Sequence, residues 1–370
     1  MGELTIWQAL FDLVLWATIF VTLRPAYKFP FRLKKRSRYL GILLMVVFCL
    51  FPFWAGDYFH SIESYTLIKQ GGYSRFEDVY VWIIENIAPS YHFFRLVVWG
   101  SGLTLLFLAY KRIGHNFDMS LFFFGALYLP LFSYARASLA MSIIIFGITF
   151  LCKPVRNLKI LSIALGATIV LCSFFFHRTA VVGIFSVFMA TLLIDNNKWK
   201  TILLIILVPL GIYGLSMLLD SIMMIDFDSV DEVLNRKRDT YLSGDVAVKG
   251  IARQLSDFLT RTPMFLSAIL YIVLVTKGYY KKMPTVERAI ASYVFSIMIL
   301  ALGFSLNLGY NTTVLYYRTI NYALPANAIF LMSIKSRNIE QKYFKIIYYM
   351  ALAAAGYSLL YSTYMGYNRM

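Results

Sequence analysis

Residues 160–194 read ILSIALGATIVLCSFFFHRTAVVGIFSVFMATLLI, a stretch in which His177 and Arg178 are the only charged or basic residues. Each half is about as long as the shortest helix that crosses a bilayer. In hydrocarbon every backbone N–H and C=O must be satisfied within the segment, so each half reads as a helix. The stretch is therefore two membrane helices back to back, separated by a cation pair where a loop would ordinarily stand. Leu121 to Cys152 repeats the pattern, with Arg136 as its only charged residue.

The whole chain has this character. Of its 370 residues, 59% are apolar, 17% aromatic and only 15% charged. Soluble chains are about half apolar and a quarter charged. The charges are lopsided, with 35 Lys plus Arg against 19 Asp plus Glu, a formal +16. A nucleic-acid binder would gather its bases on a solvated domain, but apolar stretches run almost from end to end, so no nucleic-acid partner is expected. Cys49, Cys152 and Cys172 each lie inside an apolar stretch without C-x-x-C spacing, which indicates neither a disulfide framework nor a thiolate metal site. Glu3 and Asp12 stand where a signal peptide would carry basic residues, and no A-x-A-like site follows, so the first stretch is expected to remain as a helix.

Apolar runs predict helices at Ile6 to Leu23, Tyr39 to Ala55, Arg95 to Tyr110, Leu121 to Tyr134, Ala137 to Cys152 and Ile160 to Phe176. The series continues with Thr179 to Ile194, Thr201 to Leu219, Pro263 to Thr276, Ala289 to Leu306, Thr319 to Ile334 and Ile346 to Leu360. The expectation is an all-α, polytopic integral membrane protein with about twelve transmembrane helices, residues 1–370 forming one transmembrane domain. Runs shorter than about 17 residues must extend into the adjoining loops if they are to span.

Placing the loop Arg24 to Arg38 in the cytoplasm and alternating gives six inner loops with 22 of the 35 bases and four acids, Asp118, Asp195, Glu287 and Glu340. The positive-inside tendency favours that orientation. It leaves the outer side near neutrality, so the +16 records topology. Two outer loops are long. In the first, residues 56–92, Phe76, Val79, Ile83 and Ile87 predict a helix with one apolar face lying in the interface. The second, residues 220–262, is the most charged part of the chain and reads as a lid.

Against that background Arg136, Arg178 and Arg318 stand out, each at the outer boundary of an apolar stretch. A guanidinium there snorkels to headgroups or lines a wet functional cavity. Three on one face favour the second use, and their forked donors suit a multivalent anion such as a lipid-linked phosphate or pyrophosphate. Asp57, His60, His92, Arg95 and His177 lie in the same layer as candidates for acid–base or substrate contacts. An interfacial hydrogen bond is the ordinary role of such histidines; His177 is distinguished by its neighbour Arg178. Asp57 suits a helix cap as well as chemistry. Tyr310, Tyr316, Tyr317 and Tyr322, with Asn307, Asn311 and Asn321, surround Arg318. They form an aromatic belt or a sugar-binding surface of flat faces, hydroxyls and amides. Asp226-Phe227-Asp228 matches D-x-D but sits in an acidic outer loop, and reads as solvated chain rather than a metal site.

Four segments carry a family resemblance: Gly56-Asp57-Tyr58, Tyr134-Ala135-Arg136-Ala137-Ser138-Leu139-Ala140, Phe176-His177-Arg178-Thr179-Ala180, and Tyr317-Arg318. Over roughly residues 40–335 the chain resembles the EpsG family of exopolysaccharide polymerases, which are similar to Wzy-type polymerases of bacterial surface glycans. The resemblance implies a GT-C-like membrane glycosyltransferase in the bacterial plasma (inner) membrane, with an active site facing the periplasm or exterior. It would move a growing glycan from undecaprenyl pyrophosphate to the terminal sugar of another lipid-linked repeat unit, in exopolysaccharide, capsule or O-antigen synthesis. No cofactor or metal is implied. The implied partners are the lipid-linked oligosaccharide and membrane lipids, with room for a chain-length regulator. Arg136, Arg178 and Arg318 would bind pyrophosphate, and His177 or Asp57 would act as base. His60, His92, Arg95, Tyr317, Asn321 and Tyr322 would contact the sugars. Two rivals share much of this pattern. A ligase resembling O-antigen ligases would differ only in its acceptor. A lipid-linked sugar flippase would line its whole path with polar groups, whereas mid-membrane charges are nearly absent here.

Overall fold

A computed structural model of the chain describes residues 6–28, 32–53, 56–72, 76–113, 116–153, 158–195, 198–223, 251–305 and 310–367. These residues are helical or in short connections, with no strand among them. The helices are α1 (Ile6–Leu23), α2 (Lys35–Leu50), α3 (Gly56–Lys69), α4 (Asp78–Asn86), α5 (Tyr91–Ile113), α6 (Phe117–Ser133), α7 (Ser138–Cys152) and α8 (Lys159–Phe176). They continue with α9 (Ala180–Leu193), α10 (Lys198–Met223), α11 (Ile251–Thr276), α12 (Thr285–Ser305), α13 (Tyr310–Asn321), α14 (Leu324–Ser336) and α15 (Gln341–Tyr367).

Eleven of the twelve predicted apolar runs fall on one helix each, and the run Thr319 to Ile334 falls on two. Among the described residues six helices are long and apolar enough to cross a membrane: Leu10–Tyr27, Tyr91–Ile113, Lys159–Phe176, Leu259–Thr276, Thr285–Ser305 and Gln341–Leu360. Phe117–Ser133, Ser138–Cys152 and Ala180–Leu193 are apolar but shorter. Helices α6, α7, α12 and α14 form the centre, buried along nearly their whole length. Helices α8, α9 and α10 instead expose large apolar residues such as Ile160, Phe175, Phe188 and Leu207. An apolar exterior of this extent would aggregate in water and is stable in lipid, so the fold is that of a polytopic membrane protein.

Prolines account for several differences from the predicted boundaries. Helix α2 ends at Leu50, five residues before the predicted end at Ala55, because Pro52 disfavours helical backbone at Phe51. The predicted run Thr319 to Ile334 is two helices: Pro325 has no N–H to return to Asn321, and the chain breaks at Tyr322 and Ala323. In α6, Pro130 leaves the Ala126 carbonyl without its helical donor just where the helix widens into a π turn, Phe124–Tyr128. The Trp16 indole of α1 supplies the missing donor at 3.2 Å. Helix α11 starts at Ile251, well before the predicted Pro263, so Arg253, Asp257 and Arg261 belong to a helix. Most of the predicted lid, residues 224–250, lies outside the described residues, including Asp226-Phe227-Asp228.

The segment 56–92 holds two helices, α3 and α4. The buried face of α4 is Tyr80, Ile83 and Ile84, rotated from the predicted stripe so that Ile87 is exposed. Aromatic packing selects this face, since Tyr80 sits edge-on to Phe94 of α5 and beside Phe176 of α8.

All four acids assigned to the inner loops pair with bases from inner loops. Asp118 takes Arg38 at 2.6 Å, Glu287 takes Arg337 at 2.8 Å, Glu340 takes Lys277 at 2.8 Å, and Asp195 takes Arg288 at 3.6 Å. Asp118 also accepts from the Leu33 backbone N–H, and Glu287 from the Ser333 hydroxyl. These pairs tie the start of α2 to the start of α6, the start of α12 to the ends of α9 and α14, and the start of α15 to the end of α11. One end of the bundle is thus a basic end, and the cation-broken turns lie at the opposite end.

Helices α7 and α8 are antiparallel and touch backbone to backbone. A Cβ added at Gly166 would stand 2.9 Å from the Leu151 nitrogen and 3.0 Å from the Gly147 carbonyl oxygen. Small residues at such crossings let dispersion and backbone contacts hold helices together where lipid removes the hydrophobic drive. Gly166→Val is expected to destabilise the fold by about 1–3 kcal/mol through overpacking. Thermal unfolding in detergent checks this; an unchanged midpoint would show that the crossing is not a structural requirement.

Candidate functional site

The α7–α8 hairpin brings the residue before α7 and the residue after α8 to the same end. Arg136 stands in the turn between α6 and α7, and His177 terminates α8 in extended conformation. Between them comes Glu77, the N-cap of α4. Its Oε1 lies 2.5 Å from His177 Nδ1, with the Glu77 and His177 side chains only 13% and 10% exposed. Burial alone would raise the Glu77 pKa. The hydrogen bond and charge of His177, its own backbone N–H and the Arg136 guanidinium outweigh burial and hold it below the usual carboxylate range. Glu77 is therefore ionised at neutral pH.

The Arg136 guanidinium is half-buried, 6.0 Å from the Phe76 ring, while its backbone carbonyl accepts from Tyr80 Oη at 3.4 Å. Burial pushes the Tyr80 phenol far up, so it stays a neutral donor. Across the site Tyr322, fully buried at the break between α13 and α14, places its hydroxyl 3.3 Å from Thr179 Oγ1. Glu77 and Arg318 both lie within electrostatic reach of that phenol. Gly183 of α9 makes room for the ring, because a Cβ there would stand 2.9 Å from Tyr322 Cδ1. Arg178 and Arg318 are exposed. Among the described residues no acceptor takes the guanidinium of Arg136, Arg178 or Arg318.

The structure thus brings His177, Arg136 and Tyr322 within reach of Glu77, with Arg178 next to His177 and Arg318 within reach of the Tyr322 phenol. The other predicted residues are placed differently. Arg95 is buried and its donors are taken: Nε by the Cys49 carbonyl at 2.8 Å, Nη2 by the Ser133 carbonyl at 2.9 Å and Nη1 by Tyr91 Oη at 3.3 Å, with Trp99 3.9 Å below. Cys49 and Ser133 stand in the last turns of α2 and α6, where carbonyls lack helical donors and the dipole is negative. Arg95 is a shared cap for two helix ends. His92 is exposed, its Nε2 2.9 Å from Tyr58 Oη and its ring 4.8 Å from Phe51. Burial pushes the Tyr58 phenol up to about 12. Phe94 joins this aromatic group to the site through Tyr91 on one side and Phe76 and Tyr80 on the other. Asp57 and His60 lie on α3 next to Tyr58, but their side chains are outside the described residues, as are those of Tyr310 and Asn311 and the whole of Asn307. Asn321 is half-buried at the end of α13, and Tyr317 lies beneath Arg261, 3.6 Å from its ring.

Sequence reasoning did not find Glu77. The available signal was an acid at an N-cap position, before a short amphipathic helix in an aromatic outer segment. Among the described residues no group of His, Cys, Asp and Glu is arranged to hold a metal.

No curated protein and no solved structure matches the chain. A family model does, across residues 37–369, a span that takes in the Glu77–His177 pair, all three boundary arginines and nearly every helix. The chain belongs to the EpsG family, a family of Wzy-type polymerases.

Proposed function

We propose that the protein polymerises lipid-linked oligosaccharide repeat units at the face of the membrane opposite its basic end. The growing glycan passes from one undecaprenyl pyrophosphate to the terminal sugar of a second carrier's repeat unit. The observation that carries this reading is at that end: a histidine held by a buried carboxylate on which Arg136 also acts, with Arg178 and Arg318 exposed at the same end. The twelve apolar runs serve as spans in a GT-C-like arrangement, in the bacterial plasma membrane with this end facing outward, and polyprenyl chains reach it from the lipid side.

The chemistry follows from charge. The bond between donor C1 and the pyrophosphate oxygen breaks, and the pyrophosphate leaves with the electron pair. Arg136, Arg178 and Arg318 bind the charge that develops, as preorganised donors do best where water is scarce. The acceptor sugar's hydroxyl oxygen bonds to C1, and its proton passes to His177 Nε2 or to Asp57. Tyr317 and Asn321 at the far side, and His60 and His92 on the aromatic flank, suit sugar hydroxyls and faces, with Tyr322 buried beside Asn321. Arg95 acts on the site by fixing the ends of α2 and α6.

Purified protein in vesicles, given undecaprenyl-pyrophosphate repeat units and no energy source, is expected to build a ladder of longer glycans on the carrier. Transfer only to an acceptor other than a lipid-linked repeat unit would make it a ligase. Movement of the lipid across the bilayer without covalent change would make it a flippase.

A further inference from the structure

The carboxylate of Glu77 is committed in an unusual way. An acid at an N-cap normally accepts from the N–H groups of the first helical turn. Here the Glu77 backbone carbonyl starts α4, accepting from Tyr80 N at 2.8 Å and Val81 N at 3.1 Å, while no side-chain cap bond forms. The side chain reaches instead to His177, one hundred residues further along the chain. Its second oxygen, Oε2, is buried and has no hydrogen-bond partner among the described residues. A capping acid would not be left in that state.

We infer that Glu77 is the positioning residue of the site: it accepts the Nδ1 proton of His177, fixes the tautomer in which Nε2 is basic, and steadies the ring when Nε2 takes the acceptor proton. This rests on His177 being the base of the proposed transfer. An ionised carboxylate can only accept, so the proton between the two atoms belongs to Nδ1, and in the neutral ring the lone pair then lies on Nε2. The proton balance is simple. The acceptor hydroxyl loses its proton to Nε2, the departing pyrophosphate keeps the electrons of the C1–O bond, and Glu77 remains charged throughout. Removing the carboxylate leaves the ring free to rotate and to adopt the other tautomer, which disables a base without removing it. Arg136 also acts on Glu77, so the group that orients the base stands next to a guanidinium proposed to hold the leaving group.

A purely mechanical latch between α4 and the α8–α9 turn would show the same contact, so the test uses readouts that a latch would not move. Glu77→Gln, Glu77→Asp, His177→Ala and the Glu77→Gln/His177→Ala double variant are compared in vesicles with lipid-linked repeat units, after thermal unfolding has shown which are folded. Glu77→Gln is expected to lower kcat about tenfold to a hundredfold, a part of what a positioned base supplies. Its KM should stay within about twofold of wild type, because ground-state binding is untouched. Glu77→Asp keeps the charge one methylene short and should fall between the two. In the His177→Ala background Glu77→Gln should add no further loss, since residues acting as a unit are not additive. A wild-type kcat for Glu77→Gln beside an impaired His177→Ala overturns the inference and leaves the base in place. Losses that multiply in the double variant also overturn it, by giving Glu77 a role independent of His177. Wild-type turnover in His177→Ala removes the base assignment itself and the inference with it.

Discussion

Arg136→Ala is expected to leave the protein inserted and folded while chain growth falls by about a hundredfold to a thousandfold, the usual cost of losing one preorganised donor to a developing anion. Arg136 is half-buried, with its guanidinium 6.0 Å from the Phe76 ring and its charge acting on Glu77, so it is screened less than an exposed charge. Arg178→Ala and Arg318→Ala should lose less, because both side chains are exposed and exposed charges are screened. Arg136→Lys keeps the charge without the planar fork and should recover little of the loss. The measurement is polymer length and initial rate from lipid-linked repeat units, with folded protein quantified in the same membranes. Normal polymer length in all three Ala variants would refute the clamp.

His177→Ala should reduce turnover by about a hundredfold to ten-thousandfold, the span attributed to a positioned general base. Asp57→Asn tests the other candidate and should change turnover far less. The difference comes from anchoring. His177 is tied to a buried carboxylate at 2.5 Å, whereas Asp57 is in the first turn of α3, where a carboxylate ordinarily caps the helix. Initial rates of the two variants, normalised to folded protein, decide between them. Near-wild-type rates in both would mean that neither takes the proton, and the opposite ranking would give the base to Asp57.

The helices were legible because lipid imposes a simple rule on sequence: long apolar runs, punctuated by charge. The basic end follows the same rule, and the four acids that share it each pair with a base there. What stayed hidden depends on which helix ends meet. Arg95 looked like another boundary cation suited to substrate, and nothing in its neighbours shows that the last carbonyls of α2 and α6 converge on it. Glu77 and His177 are one hundred residues apart, and only the antiparallel packing of α7 and α8 with α4 across the end unites them. Pro325 is plain in the sequence, but the apolar run from Thr319 continues past it to Ile334. The consequence, a buried Tyr322 at a helix break facing Thr179, belongs to tertiary structure.

The glycine crossing of α7 and α8 acts as a fulcrum. From Gly147 to Ser138 the helix runs nine residues, about 14 Å at 1.5 Å per residue. Arg136 and His177 ride on the free arms of that lever. A change of only about 5° in the crossing angle moves an arm tip by roughly 1 Å, a misplacement on the scale that costs a reaction about a hundredfold. Helix tilt responds to bilayer thickness, so under the proposed function the rate of glycan growth is expected to vary with the thickness of the vesicle bilayer.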